Sequence, residues 1–335
     1  MQLMNPTQPT RHLAQIGLIS IASLALFGCN KTPETTITTP DSQTASALAS
    51  QATASDANIN NATAANANTG TPDPNKPQII IGTTVGDFGD MVKGSIEPQL
   101  EQQGYKVKLV EFSDYVRPNQ ALADGDIDIN VFQHKPYLDE FKKQHNLDLV
   151  EVFQVPTAPL GLYSGKLTAL DQAKDGMSVA VPNDPSNFAR ALVMLNELGW
   201  LKLKDNIDPL TASKADIAEN PQNIKLVELE AAQLPRSRQD VDFAVINGNY
   251  ATSSGIKLTD ALYQEPSYAY VNWAAVRQQD KNAPWVRDVT NAYNSDAFKQ
   301  YAHQTFPGYK YPAIWGENTA TASNAPATVV ASNAP

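Results

Sequence analysis

Between residues 78 and 132, apolar positions switch repeatedly between a strand period and a helix period. Ile79, Ile80 and Ile81 form an unbroken β-branched run ending at Gly82, which predicts a buried first strand. Met91, Val92, Ile96 and Leu100 then recur at helical spacing. Tyr105, Val107 and Leu109 alternate with Lys106 and Lys108, the pattern of a half-exposed second strand. A short helix over Asn119–Ala123 leads to a third strand over Ile127–Phe132. Strand, helix, strand, helix, strand is the order of a parallel α/β sheet. The pattern restarts with a strand over Ser178–Val181, a helix over Pro185–Leu198, and strands over Ile224–Leu229 and Phe243–Ile246. Two α/β lobes are predicted.

Two apolar, extended segments lie between these blocks, Val155–Tyr163 and Tyr268–Trp273. They predict two hinge crossovers. Lobe I is then discontinuous (78–160 plus 268–316) and lobe II is 161–267. A continuous two-domain chain, with those segments inside one sheet, is the alternative.

The ends differ from the middle. Arg11 and His12 precede an apolar stretch from Ile16 to Phe27, shorter than the roughly 18 residues of a membrane span and within the range of a signal-peptide core. It closes on Leu26-Phe27-Gly28-Cys29, which resembles a bacterial lipobox, with Phe27 bulkier than the small residue usual there. The expectation is a lipoprotein signal peptide over 1–28 and a lipid (palmitate) anchor on Cys29. A plain secretory signal with an incidental buried cysteine is the alternative. Residues 29–77 are rich in Ala, Thr, Asn and Ser without an aromatic side chain, and 317–335 are similar. Such segments bury too little to offset their conformational entropy, so a disordered tether and a disordered tail are expected.

Charge and composition narrow the chemistry. In a chain of 335 residues, 25 Lys and Arg stand against 35 Asp and Glu, a formal net charge of −10. That balance argues against nucleic acid, whose binding rests on neutralising phosphates. One cysteine makes no intramolecular disulfide, and four scattered histidines make a His-rich metal site improbable. No nucleophile elbow, phosphate loop or zinc helix motif occurs; Gly161–Lys166 is too short for a phosphate loop, and Leu167 stands where a hydroxyl is required. Neither a catalytic residue nor a cofactor is expected, so the chain is not read as an enzyme. Asp126 and Asp128, alternating with Ile127 and Ile129, are expected to face solvent.

Three clusters remain. Phe132-Gln-His-Lys-Pro-Tyr-Leu138 follows the third strand and leads into a helix, with Pro136 suited to the first turn. Ligands of open α/β sheets bind at the carboxyl ends of strands, so Phe132, His134 and Tyr137 are candidates for an aromatic wall, with Tyr115 joining them. Core packing is the alternative for each ring taken singly. In Val181-Pro-Asn-Asp-Pro-Ser-Asn187, Asp184 suits an N-cap and Pro185 a first helical residue. Asn187 and Arg190 then share a face beside free helix N–H groups, suited to a carboxylate. A solvated Arg190 pairing with Asp184 or Glu197 is the alternative. Asn247 ends a buried strand with its amide toward the interlobe cleft, unless it caps a loop, which is the expectation for Asn249.

These clusters, with Val227-Glu-Leu-Glu-Ala-Ala-Gln-Leu-Pro-Arg-Ser237 and Val245-Ile-Asn247, closely resemble the MetQ/NlpA family of methionine-binding lipoproteins across 78–316. Gly82–Asp90 and Pro312–Gly316 look most like members of Gram-negative type. The resemblance implies a type II periplasmic binding protein fold and the substrate-binding subunit of an ABC transporter for amino-acid import. Its partners would be L-methionine, an ABC permease with its ATPase subunits, and a cell membrane reached through the lipid anchor. The location implied faces the periplasm, with the outer membrane or cell surface as alternatives. It further implies that Tyr115, Phe132, His134 and Tyr137 surround the methionine side chain, while Asn187, Arg190 and Asn247 hold its charged groups. A surface lipoprotein serving adhesion, and a periplasmic enzyme on the same fold, are the competing functions.

Overall fold

The apolar runs of the central strands become two separate sheets. In the computed structural model, which describes residues 71–317, the first sheet contains β1 (Gln78–Thr84), β2 (Lys106–Phe112), β3 (Ile129–His134), β4 (Leu149–Val155) and, from far along the chain, β12 (Asn272–Arg277). Their order is β2-β1-β3-β12-β4. The second sheet contains β5 (Gly161–Ser164), β6 (Ser178–Pro182), β9 (Lys225–Leu229), β10 (Phe243–Ile246) and β11 (Tyr263–Gln264), in the order β11-β5-β10-β6-β9. A small ribbon of β7 (Lys202–Leu203) and β8 (Ile217–Glu219) flanks it. The chain passes from the first sheet to the second through residues 156–160 and returns through 265–271. The expected two-lobed α/β architecture is present.

Each sheet is apolar on both faces, so helices cover both. In lobe I, Ile79, Ile81, Ile129 and Val131 pack against Phe88, Met91, Ile96 and Leu100 and against Val289, Tyr293 and Phe298. These come from α1 (Asp87–Met91), a π-helical turn (Val92–Ile96) and α2 (Glu97–Gln102) on one side of the chain, and α8 (Pro284–Tyr293) and α9 (Asp296–Thr305) on the other. The opposite face packs through Phe112, Leu122, Ile127 and Leu138, using α3 (Arg117–Asp124) and α4 (Lys135–His145). In lobe II the strand alternation is plain. Val179, Val181, Phe243 and Val245 meet α5 (Pro185–Glu197), while Ala180, Ala244 and Ile246 meet α6 (Leu234–Ser237) and α7 (Gly248–Ser253).

Three expectations need correcting. The third strand spans 129–134 rather than 127–132. The Ile127 N–H turns back to the Ala121 carbonyl at the end of α3, while antiparallel β12 pairs as far as His134 through Asn272. Asp128 does not face solvent: it is 3% exposed, accepts the Ile80 N–H at 2.8 Å, and pairs with Lys76. The end of the expected tether, residues 71–77, packs on lobe I, where the Asp73 N–H donates to Tyr105 Oη at 2.8 Å. The signal peptide, Cys29, the tether up to residue 70 and the tail from 318 lie outside the described residues. Among the described residues, no helix is long and apolar enough to cross a membrane.

Replacing Asp128 with Ala removes the acceptor of a half-buried backbone N–H and the partner of Lys76. The expected loss is about 1–3 kcal/mol of unfolding free energy, read from the urea midpoint at unchanged m-value.

Candidate ligand-binding site

His134 closes β3 and caps α4. Its backbone is extended, and Nδ1 accepts the Tyr137 N–H at 3.1 Å. Pro136 occupies the first turn, where its missing N–H costs nothing. Strand alternation turns Phe132 and His134 to one face, and Tyr137 stands one turn into the helix. Its hydroxyl donates to the Tyr115 carbonyl at 2.8 Å, which draws in the loop between β2 and α3. The ring centroids of Tyr115, Phe132 and Tyr137 lie 5.8–6.0 Å apart, pairwise tilted or edge-on. Lobe I therefore presents a continuous aromatic wall.

Lobe II presents amides and a cation. Asp184 caps α5, accepting the Asn187 N–H at 2.9 Å. Both Asp184 oxygens also accept from Asn187 Nδ2, at 3.0 and 2.9 Å. A carboxylate only accepts, so the amide nitrogen must face it and Oδ1 must face the cleft. Three donors converge on that oxygen: His134 Nε2 at 3.1 Å, Arg190 Nη1 at 2.7 Å and Asn247 Nδ2 at 2.9 Å. Because His134 Nδ1 is an acceptor, its proton sits on Nε2. Arg190 also makes a buried fork with Glu265, with Nε to Oε2 at 3.0 Å and Nη2 to Oε1, and its guanidinium lies 4.4 Å from the Tyr270 ring centre.

Asn247 follows β10 at the start of α7 but makes no side-chain capping bond. The helix start is pressed against the first crossover: a Cβ on Gly248 would stand 2.4 Å from Ala158 Cβ and 2.6 Å from the Pro159 carbonyl oxygen. Only glycine permits that approach. Asn247 Oδ1 is buried and has no hydrogen-bond partner. Across the cleft, Tyr115 Oη donates to Asn249 Oδ1 at 2.6 Å.

All seven residues singled out in the sequence, Tyr115, Phe132, His134, Tyr137, Asn187, Arg190 and Asn247, line one interlobe cavity. It spans about 380 Å³ free of protein atoms, its open mouth included. Direct His134–Asn187 and Tyr115–Asn249 contacts draw its walls together. Arg190 pairs with neither Asp184 nor Glu197; its acid is Glu265, and Glu197 instead accepts from Tyr263 at 2.8 Å. Asn249 caps no loop but sits within α7, bonded to Tyr115. Sequence reasoning missed Glu265, Tyr270 and Asn249 as parts of the site. The only local signal for Glu265 was an acid beside Pro266 at the edge of an apolar run.

Donors and acceptors at this cavity do not balance. One carbonyl oxygen with two lone pairs receives three donors, while a neighbouring carbonyl receives none. The arrangement suits a molecule that brings an anion and a cation together, beside an apolar group for the rings. Burial, reinforced by the Arg190 charge, pushes the His134 pKa from 6.5 down to about 3, so its imidazole is neutral. Burial holds the Tyr115 and Tyr137 hydroxyls protonated. Among the described residues, no cluster of three or more His, Cys, Asp or Glu is arranged to hold a metal ion.

The His134 shift has a defined sign. Its contribution to stability is complete above pH 6.5 and is lost as pH falls toward 3. Asp87, pushed up to about 6 by burial, acts oppositely between pH 3.8 and 6. The parent therefore has to be compared with His134→Asn. Between pH 7 and pH 5 the parent should lose about 2 kcal/mol more than the variant, measured by urea denaturation at each pH.

The family model for NlpA lipoprotein matches residues 79–314. The D-methionine-binding lipoprotein MetQ of Salmonella typhi is 44% identical over 240 residues, covering 70% of this chain and 88% of that protein. A periplasmic substrate-binding protein of an ABC transporter from Coxiella burnetii is 42% identical, with a TM-score of 0.66 over 70% of this chain and 99% of that one. A nutrient binding protein from Burkholderia cenocepacia, solved bound to methionine, is 42% identical, with a TM-score of 0.65 over 69% of this chain and 97% of that one. The matched span takes in both sheets and every residue of the cavity, and the chain belongs to the NlpA lipoprotein family.

Proposed function

We propose that this chain is the substrate-binding lipoprotein of an ABC importer, which captures methionine between its lobes and delivers it to a membrane permease. The observation that carries the reading is the imbalance around Asn187 and Asn247: surplus donors beside an orphaned acceptor, opposite an aromatic wall. An α-carboxylate supplies acceptors for Arg190, His134 Nε2–H and Asn247 Nδ2. An α-ammonium supplies the donor for Asn247 Oδ1. Burying a zwitterion is costly unless both charges find partners; Arg190 would pair with the carboxylate and the Asn247 amide oxygen would accept from the ammonium. The thioether then lies among Tyr115, Phe132, His134 and Tyr137, where each sulfur–ring contact is worth about 0.3–1.5 kcal/mol.

A ligand of that size enters when the lobes part about the two crossovers and the His134–Asn187 and Tyr115–Asn249 bonds open. Closure around it is driven by the difference in its affinity for the two forms, and the closed shape is what a permease recognises. No covalent step is involved. The L enantiomer is the expected ligand, while the Salmonella relative is named for D-methionine. Cys29 carries the lipid that holds the protein at a membrane, facing the periplasm.

Isothermal titration with each enantiomer tests the reading. One saturable site is expected; no saturable heat with either overturns it. Asn247→Ala should weaken binding by at least about tenfold, because a hydrogen bond to a charged group is worth about 1.5–3 kcal/mol. Its melting temperature should change little: the one bond lost, from Asn247 Nδ2, leaves an Asn187 Oδ1 that keeps two other donors, and an unpaired buried acceptor goes with it. Cys29→Ala should move the protein from the membrane fraction to the soluble one; retention in membranes would remove the anchor from the proposal.

A further inference from the structure

Arg190 does not stand free at the cleft. A guanidinium has five N–H groups, and protein partners take three: Nε and Nη2 go to the two oxygens of Glu265, and Nη1 to Asn187. Glu265 is 7% exposed and opens the segment 265–271 that leads back to lobe I. Its backbone N–H donates to the Leu160 carbonyl at 3.0 Å, and its Oε1 accepts the Leu160 N–H at 3.2 Å. Leu160 is the last residue before β5, so one carboxylate joins both crossovers to the cation of the site.

A third segment braces the same point. Lys310 pairs through its backbone with Thr157 of the first crossover, 2.9 Å in both directions. Its ammonium donates to the Glu265 carbonyl at 2.7 Å and to the Ser267 carbonyl, and lies 3.8 Å from Glu265 Oε1. Glu265 thus sits between two cations, Arg190 and Lys310. The side-on edge of the guanidinium, Nε with Nη2, is the fork a carboxylate would otherwise occupy. With that edge filled, only the Nη groups remain for a ligand, and their direction is set from the crossovers.

We propose that Glu265 is a positioning residue for recognition of the ligand carboxylate: anchored on both crossovers, it holds Arg190 side-on so that its remaining N–H groups face the cleft. This rests on the reading of the cleft as an amino-acid site. A residue that merely supported the fold would affect all ligands alike. A residue that aims Arg190 affects only ligands that carry a carboxylate.

The full chain is titrated with methionine and with methioninamide, which lacks the carboxylate. Glu265→Gln should weaken methionine by at least about tenfold and leave methioninamide within about threefold of the parent. Glu265→Asp, which retains the charge but shortens the reach, should show the same selectivity with a smaller loss. In an Arg190→Ala background, Glu265→Gln should cost no further affinity for methionine. Equal losses for both ligands, or unchanged methionine affinity in a folded Gln or Asp variant, overturn the role of Glu265 alone. A parent chain that binds no methionine overturns the reading of the cleft, and this inference with it.

Discussion

Asp184 accepts hydrogen bonds with both oxygens and donates none, and both oxygens take the amide nitrogen of Asn187. That contact decides which end of the amide meets the cleft, and the rest of the site follows from it. Asn187 Oδ1 gathers a histidine from lobe I, an arginine one helical turn on, and a second asparagine from the end of β10. Were the amide reversed, three donors would confront a fourth. The N-cap that starts α5 and the group that organises the cavity are one residue pair, so forming the helix also forms the polar wall.

The aromatic wall depends on longer-range contacts. His134 caps α4 only because β3 runs on to it, and β3 runs on because β12 arrives antiparallel at its side. The hydrogen bond from Tyr137 to the Tyr115 carbonyl then ties the wall to the loop before α3. The apolar and polar halves of the cleft are thus built on separate sheets, each rigid, and meet through a few bonds between side chains. Such a division leaves relative movement of the lobes as the soft coordinate.

Local grammar was legible in the sequence. Asp184 with Pro185, and Pro136 beside His134, announce helix starts, and both helices begin there. The Ile79–Ile81 and Phe243–Ile246 runs announce buried strands for the same reason: no polar residue interrupts them. All seven candidate side chains share a cavity because each stands toward a strand end, in the loop that follows one, or in a helix's first turns, where α/β sheets open. Pairings distant in sequence were not legible. Asp128 alternates with apolar residues as a solvent-facing acid would, yet Lys76 and the Ile80 N–H enclose it from another part of the chain. Glu265 lies 75 positions from Arg190, and no periodicity links residues so far apart.

The sheet order of lobe I bears on how the chain is made. β12 lies between β3 and β4, yet more than a hundred residues of the other lobe are synthesised before it appears. A growing chain that has reached Gln264 holds a sheet with its fourth strand missing, so that β3 and β4 each present an unpaired edge toward the gap. Lobe II has all its strands by then and is able to fold as a unit, whereas lobe I has to wait, exposed to mispairing, for the last fifth of the polypeptide. A stop just before Asn272 would therefore leave the second lobe with all its strands and the first without the one that joins β3 to β4.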